Sequence, residues 1–209
     1  MRILITAIAV TALVSLAQEH HQKHHPPRSA DEYAKVLENP QRDAWQKPDE
    51  VIRTLDLRTG ETVADVGAGS GYFTRRLARH AAKVYAVDID AKLLEKARAS
   101  SPDNVETIQA TTDDPMLAPA SVDTVFLCDV LHHMEARPAY YAKLKAALKP
   151  GGRIVIVDFH KKPLPVGPPP AMKLTPEDVT AELAAAGFAP TASHTFLPHQ
   201  YFLEFRLRR

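Results

Sequence analysis

This chain of 209 residues has one cysteine, almost no excess of either charge, no internal repeat and no apolar run of full membrane-spanning length. Each shortage excludes something. The lone Cys128 rules out an intramolecular disulfide and a tetrahedral cysteine zinc site. It lies in an apolar stretch, where cysteine serves as a small buried hydrophobe. The 26 Lys and Arg face 25 Asp and Glu, a formal net charge of +1. That balance carries no nucleic-acid footprint, which needs a basic patch or stripe. The apolar run from Ile3 to Ala17 falls short of the roughly 20 residues that a spanning helix needs, so no stable membrane span is expected.

That run has another meaning. Arg2 precedes it, Ser15-Leu16-Ala17 places small residues at a cleavage spacing, and polar Gln18-Glu19-His20 follows. The pattern is that of a secretory signal peptide, which would send the mature protein to the periplasm or the exterior. An uncleaved leader acting as a membrane anchor is the alternative. Cleavage after Ala17 removes Arg2 and no acid, leaving a formally neutral chain. His20, His21, His24 and His25 follow in a tail that ends at Pro26-Pro27. Histidines at that spacing can chelate a transition metal. No packed shell is at hand to orient their rings, so a solvated tail is favoured and no metal is assigned. The expected division is a signal peptide over residues 1–17, a flexible tail over 18–29 and one domain over 30–209, large enough for a full core.

Within that domain, short apolar runs alternate with helical patterns. Buried parallel strands are expected over residues 62–66, 83–88, 105–109, 122–129 and 153–159, from their near-continuous apolar content. Helices are expected over 30–38, from 48 to 55, and over 72–80, 91–99 and 137–148, with Pro150-Gly151-Gly152 stopping the last. Thr175-Pro176-Glu177-Asp178 opens another helix with a cap, a proline and acids in the first turn. Gly187 closes it, and two strands over 191–198 and 201–208 finish the chain. Right-handed crossovers then place helices on both faces of a doubly wound α/β sheet, with ligands at the carboxyl ends of its strands.

The most informative stretch is Val63-Ala64-Asp65-Val66-Gly67-Ala68-Gly69-Ser70-Gly71-Tyr72-Phe73-Thr74. An apolar strand runs into three alternate glycines and then a helix start. Glycine admits positive φ and leaves room for a ligand against the backbone. The helix that follows presents unpaired N–H groups. A dinucleotide site has its third glycine one position later than this spacing does. Asp65, two residues before Gly67, would repel a pyrophosphate and suit a ligand with an amino group. Asp88 ends the second strand 17 residues after Gly71, where an acid accepts hydrogen bonds from ribose hydroxyls. Asp90 is the better cap for the helix that follows, which leaves Asp88 for the ligand. Asp113 follows the third strand and has two readings, a contact to an adenine amino group or a turn former before Pro115.

These pieces resemble the class I S-adenosylmethionine (SAM) methyltransferases of the "type 11" kind. The matching segments are DVGAGSGYFT at 65–74, AVDID at 86–90, TTDDP at 111–115, VDTVFLCDVLHH at 122–133 and LKPGGRIVIVDF at 148–159. The resemblance covers roughly residues 40–209. It implies a Rossmann-like, mostly parallel seven-stranded sheet with one antiparallel strand near the C-terminus, and SAM as cofactor. It implies that Gly67, Ala68, Gly69 and Gly71 line the methionine part, that Asp65 anchors that region, and that Asp88 and Ile89 lie at the ribose. Thr112 and Asp113 would meet adenine, Asp129 would stand beside the methionine and the acceptor, and Arg42 would pair with the cofactor carboxylate. The lone cysteine argues against the arsenite methyltransferases of this class, which use several.

Methyl transfer needs alignment above all, and a base only where the nucleophile carries a proton. His132 and His133 follow the fourth strand and His160 the fifth. Of these, His133 and His160 are taken to face the cleft as candidate bases; the alternative is that one of the adjacent pair packs against the core and the other caps a local turn. Segment 39–46, with Trp45, is placed to close over the site, and the proline-rich loop after Lys161-Lys162 to roof the acceptor. No long insertion separates the strands, so a small or openly presented acceptor is expected, with the protein a monomer or homodimer. Two rival readings remain. A non-catalytic nucleoside-binding module would suit a protein exported away from cytosolic SAM. A nicotinamide oxidoreductase is opposed by Asp65 and the glycine spacing.

Overall fold

The computed structural model describes residues 29–208. The leader and all but the last residue of the histidine-rich tail lie outside that range. The described chain opens with helix α1 (Ala30–Leu37), started by a reciprocal capping box. Ser29 Oγ accepts the Glu32 N–H at 3.2 Å, and Glu32 Oε2 accepts the Ser29 N–H at 2.9 Å. A short helix α2 (Arg42–Gln46) follows, unforeseen as a helix. Lys47, at φ 46°, turns the chain into α3 (Pro48–Leu55), whose first-position proline has no N–H to lose.

The strands are β1 (Thr62–Val66), β2 (Lys83–Asp88), β3 (Val105–Gln109), β4 (Val122–Cys128), β5 (Leu148–Phe159), β6 (Phe188–His194) and β7 (Gln200–Leu207). Between them run α4 (Thr74–Leu77), α5 (Ala91–Ala99), α6 (Arg137–Ala147) and α7 (Pro176–Ala185). The sheet order is β3-β2-β1-β4-β5-β7-β6, with β7 antiparallel to both neighbours. This is the expected Rossmann-like sheet, six strands one way and one the other. Alternation along β4 divides the core. Val125 and Leu127 pack with Tyr141, Leu144, Val179 and Leu183 of α6 and α7. Phe126 and Cys128 pack on the other face with Val51, Leu55 and Leu77 of α3 and α4. Among the described residues no helix is long and apolar enough to cross a membrane.

Three boundaries differ from the pattern reading. The helix expected over 72–80 is α-helical only over Thr74–Leu77. The Tyr72 carbonyl accepts the Arg76 guanidinium at 2.7 Å, and His80 N–H reaches back only three residues, to Leu77 O at 2.9 Å. Tight turns therefore replace both outer ends of the helix. Strand β5 begins at Leu148 and absorbs Pro150-Gly151-Gly152 as a bulge, since Val122 pairs Leu148 and Thr124 pairs Arg153. Strand β6 starts earlier than expected, because Gly187 at φ 94° turns the chain at once and delivers Phe188 into the core.

Candidate functional site

The carboxyl ends of β1, β2, β4 and β5 converge where strand order reverses, between β1 and β4. The glycine turn leaves β1 there. Gly67 and Ala68 both donate backbone N–H groups to Val87 O, at 2.8 and 3.1 Å, which binds the turn to β2. Gly69 sits at φ 55°, and its N–H donates to Asp88 Oδ2 at 2.7 Å. A Cβ at Gly69 would lie 2.7 Å from Leu37 Cδ1, and one at Gly71 would lie 3.1 Å from the backbone of Ala97 in α5. Gly69 thus opens onto the crevice, while Gly71 permits close packing of the following helix. Asp65 is buried and accepts the Thr74 hydroxyl at 2.6 Å. Burial drives its carboxyl up to about 7, with Asp88 adding to the rise and the Thr74 bond and Arg42 opposing it.

Asp88 also accepts the Asp90 N–H at 2.9 Å, while Asp90 caps α5 through Lys92 and Leu93. Asp90 is the helix cap, as expected. Ile89 is half-buried beside Asp88. Thr112 and Asp113 lie in an exposed loop after β3; Asp113 accepts the Thr111 hydroxyl at 2.7 Å.

The far side of the crevice holds Asp129, just past β4 at φ 57°. Arg42 of α2 reaches it at 3.3 Å, and Gln200 of β7 donates to its other oxygen. Burial raises the Asp129 carboxyl to about 6 against the pull of Arg42. The Arg42 guanidinium lies 4.0 Å over the Tyr72 ring and also donates to Leu37 O and Gln46 Oε1. Gln46 donates to Gln200 at 2.7 Å. Glu38 accepts Ser70 Oγ at 2.7 Å and pairs with Arg75, and Tyr72 donates its hydroxyl to Asp43. Residues 37–46 therefore lie across the crevice, as segment 39–46 was expected to, with Leu37 over Gly69 and Val130 against Gly67.

Past Asp129 the three-ten turn Leu131–His133 directs His132 inward. The side chains of His132 and Asp158, the latter near the end of β5, are each 3% exposed, and Nδ1 lies 3.0 Å from Asp158 Oδ1. His133 stacks on His132 at 4.2 Å between ring centroids. His160 is half-buried, 5.8 Å from the Tyr201 ring, and burial together with Lys162 holds its imidazole below the ordinary value. Asp158 is thus paired with His132, which was not among the two histidines taken as candidate bases. Asp158 lies inside an apolar strand run 26 residues away, and no local signal marks it. Trp45 packs on Phe159 at 5.6 Å, and the proline-rich loop folds over the same ring, leaving no room for a Cβ at Gly167. Cys128 is buried, accepts Gln46 Nε2 at 3.5 Å, and has its thiol pushed up by burial. No cluster of metal-ligating side chains occurs among the described residues.

Fold and crevice together are those of a doubly wound α/β protein with carboxylates gathered at the carboxyl edge of its sheet. The methyltransferase-domain family matches residues 64–156, the span of β1 through most of β5. Residues 64–156 are thus similar to a methyltransferase domain. It is similar to demethylmenaquinone methyltransferase of Tropheryma whipplei, 33% identical over 117 residues, 55% of this chain and 48% of that one. It is also 33% identical to the 27-O-demethylrifamycin SV methyltransferase of Amycolatopsis mediterranei over 125 residues, 57% and 46% of the two chains. The chain spans about half the length of these curated relatives. Its fold matches a SAM-dependent methyltransferase from Aquifex aeolicus with a TM-score of 0.80 at 24% identity, covering 87% of this chain and all of that one. SAM is the cofactor of this family, and the residues here fit it. Gly69 leaves space over its backbone that any side chain would fill, and the Asp88 carboxylate stands at its N–H.

Proposed function

We propose that this protein transfers a methyl group from SAM to a small-molecule acceptor. The observation that carries the proposal is the left-handed Gly69 cradle, with the Asp88 carboxylate bonded to its backbone at the carboxyl edge of the sheet. Asp88 and Ile89 would hold the ribose, Thr112 and Asp113 the adenine, and Gly67, Ala68, Gly69, Gly71 and Asp65 the methionine part. Asp129 and Arg42, now paired with each other, carry the two charges that a zwitterionic amino acid end would match. When bound, SAM supplies an electrophilic methyl group, and the protein's task is to align it with the acceptor and exclude water. Two things support a small acceptor. The described strands are joined without a long insertion, and both curated relatives are named for small organic acceptors. Release of S-adenosylhomocysteine (SAH) from labelled SAM, screened over small-molecule acceptors, tests the reading; SAH binding without transfer to any acceptor defeats it.

That outcome would favour a second reading, a non-catalytic nucleoside-binding module. The observation behind it is that Leu37, Val130 and the Arg42–Asp129 pair cover the crevice in this structure. We further propose export through the leader over residues 1–17, with retention as an uncleaved anchor the alternative. Mass spectrometry of the mature N-terminus decides: a chain starting at Gln18 supports export, and an intact Met1 removes the cleaved-leader reading.

A further inference from the structure

Beyond the cofactor crevice, one buried polar group is built more elaborately than packing requires. His132 Nδ1 sits 3.0 and 3.3 Å from the two oxygens of Asp158, and the Phe159 N–H fixes Asp158 Oδ1 at 2.8 Å. A carboxylate at Nδ1 selects the tautomer with its proton there, which leaves the Nε2 lone pair exposed to whatever adjoins it. Nε2 makes no hydrogen bond to any described residue. Directly opposite Asp158 in the β5–β7 pairing stands Tyr201, 3% exposed, with a buried hydroxyl that has no hydrogen-bond partner among the described residues. A buried orphan hydroxyl is costly unless a ligand or water completes it. The surroundings are aromatic: His133 lies against His132, and Phe159 lies 6.5 Å from it, with Trp45 and the Lys173 ammonium on Phe159.

We propose, on the methyltransferase reading, that His132 is the catalytic base for an acceptor bearing a phenolic or enolic hydroxyl, and that Asp158 is its positioning residue. The acceptor O–H bond breaks and its proton passes to His132 Nε2. The electron pair left on oxygen forms the bond to the methyl carbon, while the carbon–sulfur pair stays on sulfur as neutral SAH. A hydroxyl is the class that needs this base, because a neutral amine attacks through its own lone pair. A phenol, with a pKa near the roughly 10 of tyrosine, lies within reach of histidine, as an aliphatic alcohol does not.

The groups facing His132 are Asp158 from β5, Asp129 from the end of β4, Lys173 from the turn before α7, and His133 beside it. Burial and Lys173 act against the imidazolium, but Asp158 and Asp129 outweigh them and hold it above the ordinary histidine value. Base function is therefore present above that raised pKa and is lost as pH falls through it.

The test uses the full chain loaded with SAH and followed by imidazole nitrogen NMR. His132 should show the Nδ1–H tautomer and titrate above free histidine, and Asp158→Asn should lower that titration and mix the tautomers. Phenol should perturb the Nε2 resonance and anisole should not. In turnover with SAM and phenol, His132→Gln should cut anisole formation by about 10²–10⁴-fold while SAH affinity is kept. Asp158→Asn should lower kcat more than it changes KM and should move the acid limb of the pH profile. An Nε2–H tautomer, a titration untouched by Asp158→Asn, a response to phenol no different from that to anisole, or full turnover by His132→Gln overturns the proposal. SAH failing to bind the native chain would instead overturn the methyltransferase reading itself.

Discussion

The two sides of the crevice are put together in different ways. The cofactor side draws on one stretch of chain: Asp65 bonds Thr74 nine residues on, Gly69 bonds Asp88 19 residues on, and Asp88 bonds Asp90. The far side, around Asp129, draws on the whole molecule. Arg42 meets Asp129 across 87 positions, Gln200 meets Asp129 across 71, and Gln46 meets Gln200 across 154. The first side is a strand–turn–helix unit with its own local logic. The second exists only once α2, the end of β4, β5 and β7 have come together, and it collects buried charge that no single element would tolerate alone.

That contrast can be broken at either side. Gly69→Val should have the largest effect, because a branched residue would need φ 55° and would meet Leu37 2.7 Å away. SAH binding by calorimetry should vanish, and unchanged affinity would remove the cradle from the cofactor site. Arg42→Ala comes next, at about 3 kcal/mol of folding stability or somewhat less, since it leaves a mostly buried carboxylate with only the Gln200 amide. Its sign with pH follows from Asp129, whose carboxyl already stands at about 6 and would climb further without Arg42. A raised acid costs stability above its unfolded value, so the deficit should be full only above the further-raised value of the variant, should shrink as pH falls toward about 6, and should be nearly gone below that, where protonated Asp129 needs no cation. Denaturant melts across that pH range check this; a pH-independent deficit would mean that Arg42 acts through packing on Tyr72 alone.

Asp88→Ala should weaken SAH binding by about 1.5–3 kcal/mol, the scale of hydrogen bonds to a charged group. A loss within error would reduce Asp88 to a tie for the Gly69 and Asp90 N–H groups. The smallest change is expected from Glu38→Ala, which releases the clasp of α1 on Ser70 and Arg75. Partly exposed ion pairs contribute below about 1 kcal/mol, so global stability should hardly move. Amide exchange over α1 should nevertheless quicken, and equal protection in both proteins would show that Leu37 alone holds the helix over the crevice.

The particular elements show why one side could be read and the other could not. Asp65, Gly67, Gly69, Gly71 and Asp88 advertise themselves by spacing, because backbone geometry within one turn sets which residue types fit. The helix cap at Asp90 and the capping box at Thr175 and Asp178 are local in the same way. The helix over 72–80 was misjudged because a guanidinium took a carbonyl that a helix would have used. The Arg42–Asp129 pair was invisible, since each residue alone suggested a ligand contact and neither pointed to the other. The choice among His132, His133 and His160 was equally beyond local pattern. A three-ten turn aims His132 at a buried carboxylate, and strand β5 carries that carboxylate.

By itself, then, the amino-acid order determined the alternating strands and helices, the glycine cradle and the carboxylates that ring it, because hydrophobic period and turn chemistry act over a few residues. Only the tertiary structure decided which charges pair across the crevice and which histidine gains an aspartate. Those outcomes depend on burial and on contacts between residues far apart in sequence, and a buried ionisable group takes its character from whatever folding brings beside it.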